Sequence, residues 1–289
     1  MKPSRFSYLA ADSVDNAIDM MRENGEDARY IAGGQSLVPM MNFRVAAPTA
    51  LIDLNGVPEL SKTQDGPNGQ LQIGAMTRTR RLETDPSIAK KNPLLSAAAA
   101  HIAHFQIRNR GTLGGSIAHA DPAAELPGIA LVCEADIHLR GPRGPRIVTA
   151  ADFFKGVFTT AADNRELIEK ICFPHWPPQR RWAFKEISRR EGDFALVGIA
   201  AWFDINDAGT ISGCAIGAIG AGDTPMRLRR AENILRGSVP SIDLFREAAD
   251  AVTADIDPLD DIHASGEYRC EVAAVLVKRT LTEAWECSQ

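Results

Sequence analysis

A chain of 289 residues, 45% hydrophobic and 24% charged, is long enough for two or three packed units with buried cores. Its 32 basic and 37 acidic side chains give a net charge of −5, and its arginine pairs are scattered, which argues against a nucleic-acid surface. The first residues lack an apolar core of signal-peptide length, and no run of about eighteen apolar residues occurs, so the expectation is a soluble cytoplasmic protein with no membrane span.

Taken in order, Asp12 and Ser13 can cap a helix in which Val14, Ala17, Ile18 and Met21 share one face, with Gly25 as its stop. Tyr30, Ile31 and Ala32 read as a short buried strand that halts at Gly33-Gly34-Gln35-Ser36, followed by a short helix over Leu37 to Phe43 and another strand over Ala50 to Leu54. Residues 1 to 55 are therefore expected to form a small α/β unit. A hairpin then turns around Gln64 to Gly69, with Leu71, Gln72 and Ile73 alternating inward and outward. Pro93 to Ile107 reads as one alanine-rich helix, on which His101 and His104 have a spacing that suits a metal but lack a third ligand in view.

After a glycine-rich run, Ile137 to Leu139 and Ile147 to Val148 make a further hairpin, and Asp152, Phe153, Phe154 and Phe158 form an aromatic group in a loop. That group reads either as a satellite core or as a wall beside a ligand. Leu167 to Phe173 is a strand, and Pro174 to Pro178 is the best linker in the chain. Beyond it, Arg181 to Ile187, Ala195 to Phe203 and Thr210 to Ile219 predict a three-stranded antiparallel meander. Helices are expected over Met226 to Leu235, Ser241 to Thr253 and Tyr268 to Glu286, the last with Val272, Val275, Leu276 and Leu281 on its apolar face.

The chemistry concentrates in Arg110 to Pro127, RGTLGGSIAHADPAAELP. Gly111, Gly114 and Gly115 permit close approach of main-chain N–H groups to a ligand, and a helix starting near Pro122 would add its positive end. With Gly33 and Gly34 upstream, two glycine turns can clamp one pyrophosphate from both sides. AGGQSL is not the dinucleotide G-x-G-x-x-G, and neither run continues into the G-K-[ST] of a P-loop. Five cysteines, Cys133, Cys172, Cys214, Cys270 and Cys287, are odd in number and never form C-x-x-C, so neither a disulfide framework nor an iron–sulfur cluster is suggested. No Ser/His/Asp triad, acid/base carboxylate pair or nucleophilic cysteine stands out, and no catalytic residue is assigned.

The blocks AGGQSLVPMMNFR, IRNRGTLGGSIAHADPAAELP and FKEISRREGDFALV (184 to 197), in that order, closely resemble the FAD-binding medium subunit of the molybdenum hydroxylases, the family of carbon monoxide dehydrogenase, xanthine dehydrogenase and bacterial N-heterocycle hydroxylases. The resemblance implies an α+β fold. A bipartite FAD-binding domain of the vanillyl-alcohol-oxidase/PCMH type would cover residues 1 to 176, with subdomains of about 1 to 55 and 56 to 176. A C-terminal domain over 177 to 289 would pack a three-stranded antiparallel sheet with helices.

The resemblance also implies a site. Ile31, Ala32, Gly33, Gly34, Gln35, Ser36 and Leu37 would surround the pyrophosphate and ribityl region, and Gly111, Thr112, Gly114, Gly115 and Ser116 would face the phosphates from the other side. Ala118 and His119 would border the adenosine side, and Glu125 would bind a hydroxyl-bearing part of FAD. Asp121 would join it or cap the following helix. Ile102, Ala103 and Ile168 would add apolar and backbone contacts. Lys185 would touch FAD or be an exposed strand lysine, and Phe194 would gate the ring.

The implied activity is electron relay. Electrons from a molybdenum–pterin cofactor in a large partner chain would pass through two [2Fe–2S] clusters in a small partner chain to FAD here, and on to an external acceptor. The implied assembly is a dimer of heterotrimers. A free-standing FAD oxidoreductase and a non-catalytic nucleotide-binding assembly module are the alternatives.

Overall fold

The computed structural model describes residues 1–286, so Cys287 lies outside the described residues. Strand β1 (Ser7–Ala10) leads into helix α1 (Val14–Asn24), where Ser13 Oγ accepts the Asn16 N–H at 3.2 Å and Gly25, at φ 77°, ends the helix. The apolar stripe Val14, Ala17, Ile18 and Met21 is buried as the spacing requires. Strand β2 (Ala28–Ile31), helix α2 (Leu37–Asn42) and strand β3 (Ala50–Asp53) complete a parallel sheet ordered β1-β3-β2. β1 is absent from the sequence expectation because it is an edge strand with largely exposed side chains and no apolar alternation.

The second unit begins with β4 (Thr63–Asp65) and β5 (Leu71–Gly74), then runs through α3 (Thr79–Thr84), α4 (Pro86–Lys91), α5 (Pro93–His101), α6 (Phe105–Arg108), α7 (Leu113–His119) and α8 (Glu125–Val132). It closes with β6 (Asp136–Gly141), β7 (Gly144–Thr149), α9 (Ala150–Phe153), the small pair β8 (Phe154–Gly156) and β9 (Thr159–Thr160), and β10 (Leu167–Phe173). The sheet order is β4-β5-β10-β6-β7. All of β5 is buried, Gln72 included, in place of the expected alternation. The Gln72 amide oxygen accepts from Gln64 Nε2 at 3.2 Å and Lys170 Nζ at 3.0 Å, which removes the penalty of burying it.

The single helix expected over Pro93 to Ile107 is broken at Ile102 and Ala103, the latter at φ 45°. Arg108 holds the break by donating to the carbonyls of Ile102 at 2.9 Å and Ala103 at 2.8 Å.

The last unit contains β11 (Arg181–Ser188), β12 (Ala195–Ile205), β13 (Ile211–Ile219), β14 (Met226–Arg227), α10 (Arg229–Leu235), α11 (Ile242–Asp250) and α12 (Gly266–Glu286). Its sheet has four strands rather than the expected three. Met226 and Arg227 pair with Ala218 and Gly217, and the buried Glu232 holds the Arg227 guanidinium at 2.5 Å, so helix α10 begins only at Arg229. One face of this sheet packs on α10 to α12 and the other on α8. Trp202 fixes the second contact by donating from Nε1 to the Val132 carbonyl at 2.9 Å. On α12, Val272, Leu276 and Leu281 are buried, whereas Val275 is exposed, contrary to the stripe drawn from sequence.

Candidate functional site

Two glycine runs meet. A Cβ on Gly33 would stand 2.2 Å from the Arg110 carbonyl oxygen, so the close approach itself requires glycine. A polar brace ties the runs together: Asn55 Nδ2 donates to the Ala32 carbonyl at 3.1 Å, Arg78 Nη2 to Asn55 Oδ1 at 2.6 Å, and Arg78 Nη1 to the Arg110 carbonyl at 2.8 Å. Gln35 Nε2 folds back onto the Gly33 carbonyl at 3.0 Å. The five consecutive N–H groups of Gly33, Gly34, Gln35, Ser36 and Leu37 have no acceptor among the described residues. A turn with successive unpaired amides is an anion-binding surface.

The second run is built differently from its expectation. Gly114 and Gly115 lie in helix α7, which starts at Leu113, Gly111 lies just before it, and none of the three has a positive φ; the helix expected near Pro122 is α8, which starts at Glu125. Gly114 is there because a Cβ would meet the Ala75 Cβ at 2.4 Å. The N–H groups are already used: Gly111 donates to the Ile107 carbonyl at 2.7 Å, Leu113 to Thr77 at 3.0 Å, Gly114 to Ala75 at 2.8 Å and Gly115 to Thr112 Oγ1 at 3.1 Å. The first loop therefore supplies free amides, and the second supplies the wall against which that loop is set.

Between the three units runs a cleft of about 980 Å³, at the upper end of the range for small-molecule sites. Its lining carries six carboxyl groups, Asp27, Asp121, Glu125, Asp163, Glu166 and Asp193, against one guanidinium, Arg29. Arg29 is itself engaged with the carbonyls of Glu26 at 2.6 Å and Ala28 at 2.8 Å. A phosphate ligand in this cleft must therefore be met by main-chain N–H groups, and the Gly33 to Leu37 loop is where they are.

Residues 4–176 match the FAD binding domain in molybdopterin dehydrogenase, and residues 182–284 match the CO dehydrogenase flavoprotein C-terminal domain. This chain belongs to that FAD-binding family. It is 42% identical to the 6-hydroxypseudooxynicotine dehydrogenase complex subunit alpha of Paenarthrobacter nicotinovorans, over 98% of this chain and 96% of the relative. It is 36% identical to the carbon monoxide dehydrogenase medium chain of Hydrogenophaga pseudoflava, over 99% of each. The solved quinoline 2-oxidoreductase from Pseudomonas putida 86 superposes with a TM-score of 0.94 at 36% identity, covering 100% of both chains.

Within this flavoprotein, every residue that the sequence nominated for FAD lines the cleft except Lys185. The Ile31 to Leu37 segment comes from the end of β2 and the start of α2, and Gly111 to His119 from α7 and the turn before it. The break at Ile102 and Ala103 opens those two residues onto the cleft, and Ile168 reaches it from β10. Lys185 instead ion-pairs with Glu283 of α12. Asp121 Oδ1 accepts the Ala123 N–H at 2.9 Å, forming a turn rather than capping α8, whose N-cap is Ala124. Phe194 is 59% exposed at the cleft edge, beside Gly192 and Asp193.

Glu125 is 4% exposed, and burial first, then the nearby Glu186, raise its pKa to about 8. Burial also lowers the pKa of His119, against an opposing pull from Asp121. The aromatic group divides: Phe153 and Phe154 are core, while Phe158, at φ 51°, lines the cleft with its ring 4.8 Å from that of His119. The two candidate metal histidines separate as well. His101 faces Glu186 at 3.5 Å, whereas His104 packs over Gly192.

Residues lining the cleft that sequence reasoning missed include Thr160, Asp163 and Asn164, in and after β9, and Met76 and Thr79, after β5. No glycine or motif marks them, since pairing of β5 with β10 and the β8–β9 turn bring them in.

Proposed function

We propose that this chain is the FAD-carrying medium subunit of a molybdenum-dependent hydroxylase or dehydrogenase, relaying electrons delivered by partner chains to an external acceptor. The observation that carries the reading is the run of unpaired amides at Gly33 to Leu37 in an acid-rich cleft, a combination that selects a diphosphate-bearing ligand without a cationic clamp. Ser36 and Ser116, whose hydroxyls are unpartnered among the described residues, would add hydrogen bonds, and Ile102, Ile168 and Phe158 would exclude water. Bound FAD would supply the redox chemistry, accepting electrons and passing them on, while the protein holds and orients it.

The first 176 residues form, on this reading, the bipartite FAD domain of vanillyl-alcohol-oxidase/PCMH type, and residues from 177 onward form the C-terminal flavoprotein domain. The partners are a large molybdenum–pterin subunit and a small [2Fe–2S] subunit in a cytoplasmic dimer of heterotrimers. The substrate class is small or N-heterocyclic, in line with the names of the nicotine-related and quinoline-acting relatives. Among the described residues no helix is long and apolar enough to cross a membrane.

Purification of the chain alone and with co-expressed partners tests the reading. The isolated chain should carry releasable FAD and stay oxidised when candidate N-heterocycles are added, whereas the complex should bleach anaerobically with its substrate. Turnover by the isolated chain would instead make it a free-standing flavoenzyme.

A further inference from the structure

Behind the wall that the last unit contributes to the cleft lies a buried arginine. Arg269, in the first turn of α12, is 6% exposed. Its Nη1 donates to the Leu196 carbonyl at 2.5 Å and the Gly220 carbonyl at 3.2 Å, and its Nη2 donates to Asp261 Oδ2 at 2.7 Å. None of these four residues lines the cleft.

Both carbonyls lie where the sheet stops. The β12–β13 ladder has its last pair at Gly198 and Ile219, so Gly220 is beyond it. Against β11, Val197 faces Ile187 and Ala195 faces Ser188, which leaves Leu196 as the extra residue of a bulge. Gly220, at φ 68°, turns back toward that bulge, and a Cβ there would stand 2.5 Å from the Leu196 carbonyl oxygen. Two carbonyl groups outside the ladder thus come close together, and one guanidinium nitrogen serves both.

The same strand ends reach the cleft. Gly192, Asp193 and Phe194, just before β12, line it, and the Gly220 N–H donates to the Pro122 carbonyl at 2.9 Å, next to the cleft residue Asp121 in the FAD-binding domain. On the far side, Asp261 belongs to the loop before α12. Its Oδ1 accepts the N–H groups of His263 at 2.7 Å and Ala264 at 2.9 Å, so the carboxylate that faces Arg269 is held by its own turn. Filling space does not account for the arginine: its Nε is buried without a partner among the described residues, and an apolar side chain would pack there without leaving a donor unpaired.

We infer that Arg269 is a positioning residue for the cleft: held by Asp261, it ties the ends of β12 and β13 together, so that Gly220 meets Pro122 and the Gly192 to Phe194 segment is set against the FAD-binding domain. What the cleft holds rests on the FAD reading, whereas the tie does not. The tie also makes Asp261, outside the cleft, a point from which the cleft wall can be loosened.

Amide hydrogen exchange of the full chain, read residue by residue by NMR, tests the tie in two variants. Arg269→Lys keeps the charge but loses the fork, and Asp261→Asn keeps an oxygen for the turn at a half-exposed position that spares the core. In both, Gly220 should exchange roughly tenfold faster, about the effect of one lost hydrogen bond, relative to Ile216, whose N–H is bonded to Glu232 Oε1 at 3.0 Å in the core of the same domain. An arginine that served stability alone would speed both amides by the same factor; that result, or an unchanged Gly220, overturns the inference. Assembled with its partner chains, each variant should also release FAD severalfold faster than wild type, and release at the wild-type rate despite a loosened Gly220 overturns the positioning role. A loosened Gly220 in a protein whose wild-type complex holds no FAD leaves the tie standing and ends the FAD reading.

Discussion

Replacing Gly33 with alanine adds a single methyl group at the point where the two glycine runs touch. That carbon would lie 2.2 Å from the Arg110 carbonyl oxygen, 2.8 Å from its carbon and 2.9 Å from Gly111 Cα, all main-chain atoms with no flexible end to swing away. Reaching even the closest approach that real Cβ atoms show, 3.0 Å, requires the runs to part by about 0.8 Å. The φ of Gly33 is not in the left-handed region, so the effect is steric rather than conformational. Overpacking of this kind costs about 1–3 kcal/mol. It would also strain the Arg78 bonds at 2.8 Å and 2.6 Å that hold the amide-bearing loop in place.

At about 1.4 kcal/mol per factor of ten, Gly33→Ala should weaken FAD binding by roughly 5- to 100-fold. Quenching of FAD fluorescence on titration with the ligand-free chain measures this, alongside a thermal melt. A dissociation constant within twofold of wild type, with an unchanged melt, would refute the claim that the touching loops build the phosphate site.

Thr112→Val removes the oxygen that accepts the Gly115 N–H at 3.1 Å and should cost about 1 kcal/mol in urea unfolding, with Thr112→Ser restoring it. Because the folded chain raises Glu125 from 4.5 to about 8, it holds that proton more tightly than the unfolded chain does, so stability falls as pH rises through this window. Glu125→Gln escapes the loss. Its stability advantage should be absent below about pH 4.5 and grow to roughly 5 kcal/mol above pH 8, and an advantage independent of pH would contradict the burial argument. Lys185→Met should leave FAD affinity within twofold, since Lys185 pairs with Glu283 outside the cleft; a tenfold loss would return it to the site.

Local signals made part of this architecture legible. Helix α1 showed itself through four apolar residues at helical spacing behind a serine cap, and β12 through the apolar run from Ala195 to Phe203. Glycine pairs located the two runs that meet at the cleft. What glycine alone does not tell is why it is there: Gly114 makes room for Ala75, and its N–H is consumed by the same strand end, so the donors come from Gly33 to Leu37.

The break at Ile102 and Ala103 was hidden because the alanine-rich stretch contains no breaker, and Arg108, further along, holds the turn. β14 was hidden because two residues carry no periodicity. The bond from Trp202 to the Val132 carbonyl depends on α8 packing against the C-terminal sheet, a contact between distant segments that no local pattern encodes.

The central claim is that FAD places its diphosphate on the free amides of the first loop. A backbone amide NMR titration of the deuterated, ligand-free chain with FAD tests it most directly. The signals of Gly33, Gly34, Gln35, Ser36 and Leu37 should shift strongly, with the already bonded Gly114 and Gly115 moving much less. Large shifts confined to the α7 glycines, or no shift in the first loop at saturating FAD, would contradict the account.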